Sequence, residues 1–223
     1  MNESCSIHYE EDALPGFSEF RYLTREGVNL AKMQDFGYVK DSRSKFNSFA
    51  RRFRLAKSMK TIQFEGYGEG TGKGYEALNR HFLMFSAFER YAADCEGIYG
   101  GVHHRALKYA SDDLFKEIRE AFKIVDINDS VFNFLIENSS SDIQKRSLLE
   151  FRRGESNRKG IYISAMLRNC YAHGVLTAHP QGAPAFAIQN LSNFMASFLY
   201  RAIVQDFQHR LDEVNYEIKR VSN

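Results

Sequence analysis

The chain has 223 residues, of which 43% are hydrophobic and 14% aromatic, so it can bury one sizeable core and is not generally disordered. Its formal net charge is only +2, which excludes a global field that would draw it onto nucleic acid or anionic lipid; a polyanionic partner needs a local basic patch. Three widely separated cysteines argue against a disulfide framework, and no apolar run reaches the ~18 residues that span a bilayer. We therefore expect a cytoplasmic protein without a membrane partner.

Proline occurs only at positions 15, 180 and 184, so the stretch between them lacks the strongest helix breaker. In chain order we predict an irregular lead-in (1–20), a helix (about 41–60), a short irregular or β element (60–68), a glycine-rich loop (66–74), and helices at about 75–96, 111–123, 129–137, 141–151, 158–173 and 188–219. The pattern predicts an all-α helical bundle. We divide it into an N-terminal extension (1–74) and the bundle proper (75–223), forming one compact unit.

Basic residues concentrate in the helix predicted at 41–60, where phenylalanines interleave them. The candidates for RNA-backbone contact there are Arg51, Arg52, Arg54 and Lys57, and a second basic run includes Arg158 and Lys159. Such runs either solvate a helix face or bind a phosphate backbone, and both readings stay open.

The glycine-rich loop does not form a phosphate-binding P-loop. That motif requires Gly at position 67 and Ser or Thr at position 74, where this chain has Tyr67 and Gly74. The paired histidines His103-His104 also lack the spacing of metal ligands. We therefore predict neither a cofactor nor a metal.

One segment carries a recognisable pattern: Arg168-Asn169, three further residues, then His173-Gly174, at the end of an apolar helix and before the last long helix. This pattern resembles the R-x4–6-H signature of the HEPN superfamily, in which a polar residue often follows the arginine. Glu89 adds to the likeness, because it is an acidic residue within the apolar stripe of an earlier long helix. The resemblance covers roughly residues 75–219.

The resemblance implies a HEPN-like helical bundle that acts as a homodimer and cleaves RNA without a metal, in a defence or toxin–antitoxin role. In this scheme His173 acts as general base or acid, and Arg168 stabilises charge on the phosphate. Asn169 orients the substrate or the imidazole, and Glu89 holds Arg168 or tunes His173. The attacking 2′-OH makes RNA the substrate.

The geometry of an ideal helix sets a condition on this site. Asn169 and His173 are four residues apart and share a face, whereas Arg168 and His173 lie about 140° apart around the helix. Arg168 and His173 converge only if the helix breaks near Gly174 or the arginine side chain curls round.

Three alternatives remain open. The cations Arg168 and His173 could simply stabilise a helix C-terminus. The chain could also be a non-catalytic HEPN-like module that binds RNA or a nucleotide, or a helical interaction and oligomerisation protein. Some HEPN toxins carry a tyrosine two residues after the histidine, as the target of a partner enzyme. Val175 stands there, which argues against that arrangement, while an antitoxin or other regulatory protein remains open as a partner.

Overall fold

The computed structural model describes residues 14–25, 42–126 and 128–222. This part of the chain is mostly helical and contains no strand, which confirms the all-α class. Its α-helices are α1 (Phe17–Arg25), α2 (Ser42–Ser58), α3 (Glu69–Glu96), α4 (Asp112–Val125), α5 (Ser130–Asn138), α6 (Asp142–Arg153), α7 (Ile161–Ala172) and α8 (Ala185–Ser222). Among the described helices, none has the length and apolar character that crossing a membrane requires.

The two longest helices, α3 and α8, pack along each other at the centre of the bundle. A buried polar network joins them: the Tyr91 hydroxyl donates to Asp206 at 2.5 Å, and Arg210 donates to Asp206 and to Glu96, each at 2.7 Å. Glu96 also accepts the backbone N–H of Leu107 at 2.9 Å. Because its charges are paired, the network can be buried, and it ties the segment after α3 to the bundle core.

The basic helix α2 packs its apolar stripe onto α3 and α8, as its sequence spacing predicts. The buried members of this stripe are Phe46, Phe49, Phe53 and Ala56. The ring centroids of Phe49 and Tyr91 lie 5.0 Å apart, and those of Phe53 and Tyr200 lie 5.4 Å apart. Burial of this face leaves Arg51 and Arg52 exposed.

The structure corrects the prediction around the glycine-rich segment. Residues 59–68 are irregular with one turn, so the β alternative is wrong and the irregular one is right. Helix α3 begins at Glu69, so most of the predicted glycine loop is helical. Tertiary packing explains this: a Cβ on Gly74 would lie 2.8 Å from the Cβ of Ala178, so only glycine allows this approach.

Two further differences concern helix starts. The lead-in predicted at 1–20 contains the first turn of α1, which starts at Phe17, and residues 1–13 lie outside the described part. At α5, Asp129 does not cap the helix with its side chain. The Asp126 carboxylate instead accepts the N–H groups of Val131 and Phe132, both at 2.9 Å, and so satisfies the free donors of the first turn.

Candidate functional site

Helix α7 carries the Arg168–His173 motif and is held firmly by its surroundings. All residues from Ile161 to Leu167 are buried. At its start, a Cβ on Gly160 would lie 2.7 Å from a ring carbon of Phe151, so the helix begins in close contact with α6. At its end, Gly174 adopts φ 73°, a left-handed conformation that glycine tolerates, and the helix stops there.

A buried hydrogen bond joins α7 to α3 below the motif. The Nε2 atom of His81 lies 2.6 Å from the Ser164 hydroxyl, and both side chains are completely or almost completely buried. Burial, reinforced by the positive charge of Arg168, lowers the pKa of His81 to about 3. His81 is therefore neutral at physiological pH and fixes the distance between the two helices.

Arg168 forms an ion pair with Glu89, the acidic residue in the apolar stripe of α3. Its Nη2 donates to the Glu89 carboxylate, and its Nη1 donates to Asn169 Oδ1 at 2.8 Å. The guanidinium also stands over the Phe85 ring, 5.1 Å from the ring centroid. These contacts use two of the five N–H donors of an arginine and orient the rest.

A cleft of about 420 Å³ opens beside this pair. Its walls come from α3, from the segment after α3, and from α6 and α7. The lining residues are Phe85, Glu89, Ala92, Ala93, Ile98, Tyr99, Gly100, Gly101, His103, Gln144, Ala165, Arg168 and Asn169. Organic ligands bind in cavities of this size, roughly 300–1,000 Å³.

His173 does not line this cleft. It lies one residue beyond α7, is exposed, and faces a smaller cavity of about 50 Å³ that it shares with Asn169 and Val175. Asn169 lines both cavities. Within one chain, Arg168 and His173 therefore open onto different cavities, with Asn169 lining both.

His103, which its sequence context brought up only as a possible metal ligand, also lines the cleft. The His103 ring packs edge-on against Phe85, with ring centroids 5.5 Å apart, and its Nε2 lies 4.0 Å from Glu89 Oε1. Burial first, and then the charges of Arg168 and His104, lower the pKa of His103 to about 4. His103 is thus a neutral imidazole beside the arginine, and no sequence spacing indicated this.

The basic residues of α2 that were predicted to contact RNA differ in the contacts they make within the chain. Arg52 on α2 reaches Ser86 Oγ at 3.5 Å, and Ser86 precedes Glu89 by about one turn of α3. Arg51 is exposed beside it. Lys57 lies over the Tyr200 ring, 5.7 Å from the centroid, and Arg54 is partly buried.

The second basic run is occupied by structural contacts. Arg158 donates to the backbone oxygens of Leu107 and Ala110 at 3.2 and 2.9 Å, and it stands over the Phe115 ring. Lys159 forms an ion pair with Glu150. These two side chains hold the start of α7 against α4 and α6, whereas Arg51 and Arg52 on α2 are exposed.

Within residues 14–25, 42–126 and 128–222, no three His, Cys, Asp or Glu side chains come together in a group that could hold a metal ion. The structure thus supplies an arginine, a carboxylate, two amides and a neutral histidine around one cleft, with a second histidine next to it. Comparison of the chain with protein-family models, with curated proteins and with solved structures found no match.

Proposed function

We propose that this chain is an endoribonuclease that cleaves RNA by attack of the 2′-OH on the adjacent phosphate, at a site built from Arg168, Asn169 and His173. The observation that carries the proposal is the position of Asn169, which lines both the cleft of Arg168 and the neighbouring cavity of His173. A phosphodiester that crosses the end of α7 passes these three side chains in succession. Their likeness to the HEPN motif adds independent support.

The chemistry uses groups that these side chains supply. An imidazole accepts the proton of the 2′-OH while that oxygen bonds to phosphorus. The bond to the 5′-oxygen breaks, and this leaving group takes a proton from solvent water. The products are a 2′,3′-cyclic phosphate and a 5′-hydroxyl. Arg168 stabilises the negative charge of the phosphorane, because Glu89 and Asn169 orient its guanidinium in advance.

The separation of Arg168 and His173 within one chain favours a site shared by two copies. In a symmetric dimer, His173 of the partner subunit can approach the Arg168 cleft, while this chain's His173 serves the other site. Two exposed apolar residues border this region: Val175 beside His173, and Ile143, which precedes Gln144 on α6. We therefore propose a homodimer with the ends of α7 at its interface.

The test of catalysis is cleavage of a fluorescent RNA in EDTA by the wild type and by His173→Ala. We expect the wild type to release products with 2′,3′-cyclic phosphate ends, and His173→Ala to lose most of this activity. His179→Ala is the matched control, since His179 is also exposed and contacts only Thr71 among the described residues. Cleavage by His173→Ala at the wild-type rate, or cleavage of an all-2′-deoxy substrate, would contradict the proposal.

The shared site has its own test. Arg168→Ala and His173→Ala are each inactive alone if both groups are needed. Mixing them should restore roughly a quarter of the wild-type activity, since half of the randomly formed dimers are mixed and each of these keeps one intact site. No recovery on mixing, in proteins shown to exchange subunits, would refute a site composed across two chains.

A second candidate function is binding of RNA or a nucleotide without cleavage. It is favoured by the absence of His173 from the Arg168 cleft, where the histidine present, His103, is partly buried and neutral. In this case the wild type binds RNA and leaves it intact, and Arg168→Ala weakens binding. Fluorescence anisotropy together with the cleavage assay separates the two functions.

A further inference from the structure

We propose that the cleft beside Arg168 is a subsite for one unpaired nucleobase, which stacks on Tyr99 and offers a hydrogen-bond acceptor to the side-chain amide of Gln144. This inference rests on the proposed function, because it names the part of the RNA that the same site would hold. The first reason is size. A phosphate on Arg168 fills only a small part of about 420 Å³, and the remainder extends along the segment 98–101.

Tyr99 has the properties of a stacking platform. Its side chain lines the cleft, the residue is 65% exposed, and no aromatic or cationic partner contacts its ring within the described part of the chain. Unpaired bases of RNA are commonly bound by stacking on such aromatic rings. An exposed tyrosine at the rim of the cleft next to the arginine therefore fits a base better than it fits a second phosphate.

The segment that carries Tyr99 is fixed on both sides. Gly97 adopts φ 66° and ends α3, and the N–H of Ile98 donates to Ala92 O at 2.8 Å. Two residues after Tyr99, the carbonyl of Gly101 accepts the Tyr162 hydroxyl at 2.8 Å. Because the backbone is held at both ends, a base can stack on Tyr99 with little loss of chain entropy.

A chain of hydrogen bonds determines which atom of the Gln144 side-chain amide is available to a ligand. Arg168 can only donate, so the atom of Asn169 that it contacts must be the oxygen. The Asn169 amide nitrogen then donates to Gln144 Oε1 at 3.3 Å, and that oxygen also lies 3.4 Å from the Ser139 hydroxyl. Gln144 is only 9% exposed, and no acceptor among the described residues takes its Nε2 hydrogens. The Gln144 Nε2 is therefore an oriented hydrogen-bond donor in the wall of the cleft, without an acceptor among the described residues.

These observations define the ligand chemistry. The Gln144 amide donates a hydrogen bond, which either a carbonyl oxygen, as in uracil, or a ring nitrogen, as in adenine, can accept. The alanines Ala92, Ala93 and Ala165 add apolar surface to the same cleft. The phosphate next to this base would lie on Arg168. The cleft would thus hold one unpaired nucleobase at the cleavage position by stacking and one hydrogen bond.

The test measures binding separately from cleavage. The probes are three fluorescein-labelled 2′-O-methyl hexanucleotides, which cannot be cleaved at a 2′-OH: all-uridine, all-adenosine, and a uridine hexamer with abasic positions. We expect the wild type to bind the uridine and adenosine hexamers more tightly than the abasic one. Tyr99→Ala should weaken uridine binding on the order of tenfold, and Tyr99→Phe should keep it. Tyr216→Ala is the control, since Tyr216 is 66% exposed on α8.

Gln144→Met tests the amide, with thermal melting to show that the variant is folded. It should weaken binding of both base-bearing hexamers, because one hydrogen bond is lost, while a preference over the abasic hexamer remains through stacking on Tyr99. Equal binding of the abasic and uridine hexamers by the wild type, or unchanged binding by Tyr99→Ala, would overturn the subsite. If base-dependent binding is lost in Tyr99→Ala but the wild type cuts no RNA, the subsite stands and the nuclease proposal fails.

Discussion

The buried histidine His81 makes the stability of the motif helix depend on pH, and this dependence can be measured. His81 lies inside the bundle with its Nε2 against Ser164, and its pKa in the folded protein is about 3. In the unfolded chain, histidine titrates near pH 6.5. Between these two values the unfolded state binds a proton that the folded state does not. The stabilisation is therefore complete above about pH 6.5 and is lost as the pH falls toward 3.

The size of the effect follows from this difference in pKa. Lowering the pH from about 7.5 to about 5 should reduce the free energy of unfolding by about 2 kcal/mol through His81 alone. His103, with a folded pKa of about 4, adds a similar loss of about 2 kcal/mol. Glu96 acts in the opposite direction, because burial raises its pKa to about 7 and its contribution falls as the pH rises. The total stability of the wild type therefore mixes opposing contributions.

A variant isolates the contribution of His81. Urea unfolding, followed by circular dichroism, is measured at both pH values for the wild type and for His81→Gln, which retains an amide near the Nε2 position. When the pH falls from about 7.5 to about 5, the free energy of unfolding of the wild type should fall by about 2 kcal/mol more than that of His81→Gln. Ser164→Ala is the control: it removes the hydrogen bond, costs about 1–3 kcal/mol, and does so nearly equally at both pH values. A pH-independent difference for His81→Gln would refute the reasoning.

Two further predictions concern the frame of the site. Gly160→Ala should destabilise the fold by about 1–3 kcal/mol, because its Cβ would lie 2.7 Å from a ring carbon of Phe151; Gly68→Ala, with open space around it, should be nearly neutral in the same urea titration. Glu89→Gln should cost less than about 1 kcal/mol, since the side chains of Glu89 and Arg168 are 37% and 26% exposed. The same variant should lower the RNA-cleavage kcat by tenfold or more, because Arg168 loses the carboxylate that orients it; an unchanged kcat would contradict that role.

Local sequence patterns predicted most of the fold, because apolar spacing and helix caps are local properties. The stripe of α2, the start of α6 near residue 141 and the end of α7 near Gly174 all follow from residues within one or two turns. The start of α3 did not follow, since glycines at 70, 72 and 74 disfavour a helix in isolation. There the close approach of Gly74 to Ala178, about a hundred residues away, outweighs local propensity.

Only part of the candidate site could be predicted from local sequence. Arg168, Asn169 and His173 lie within six residues and could be singled out from their spacing, and Glu89 drew attention as a carboxylate within an apolar stripe. His103, Gln144 and Tyr99 lie on segments that meet only in the folded bundle. No pattern in a single sequence shows that meeting, because it depends on how α3, α6 and α7 pack.

The charge of the cleft limits how it can attract RNA. Arg168 is paired with Glu89, and His103 is neutral, so the cleft has almost no net charge toward a phosphate. Long-range attraction must then come from elsewhere, and exposed cations that could supply it include Arg51 and Arg52 on α2, where Arg52 reaches Ser86 of α3. Changing both to glutamine should reduce the slope of log affinity against log salt by about 1.4, at roughly 0.7 for each lost contact with single-stranded RNA. Tyr99→Ala should lower the affinity and leave that slope unchanged. An unchanged slope in the double variant would mean that RNA does not pass over α2, and that its backbone leaves the cleft by another face.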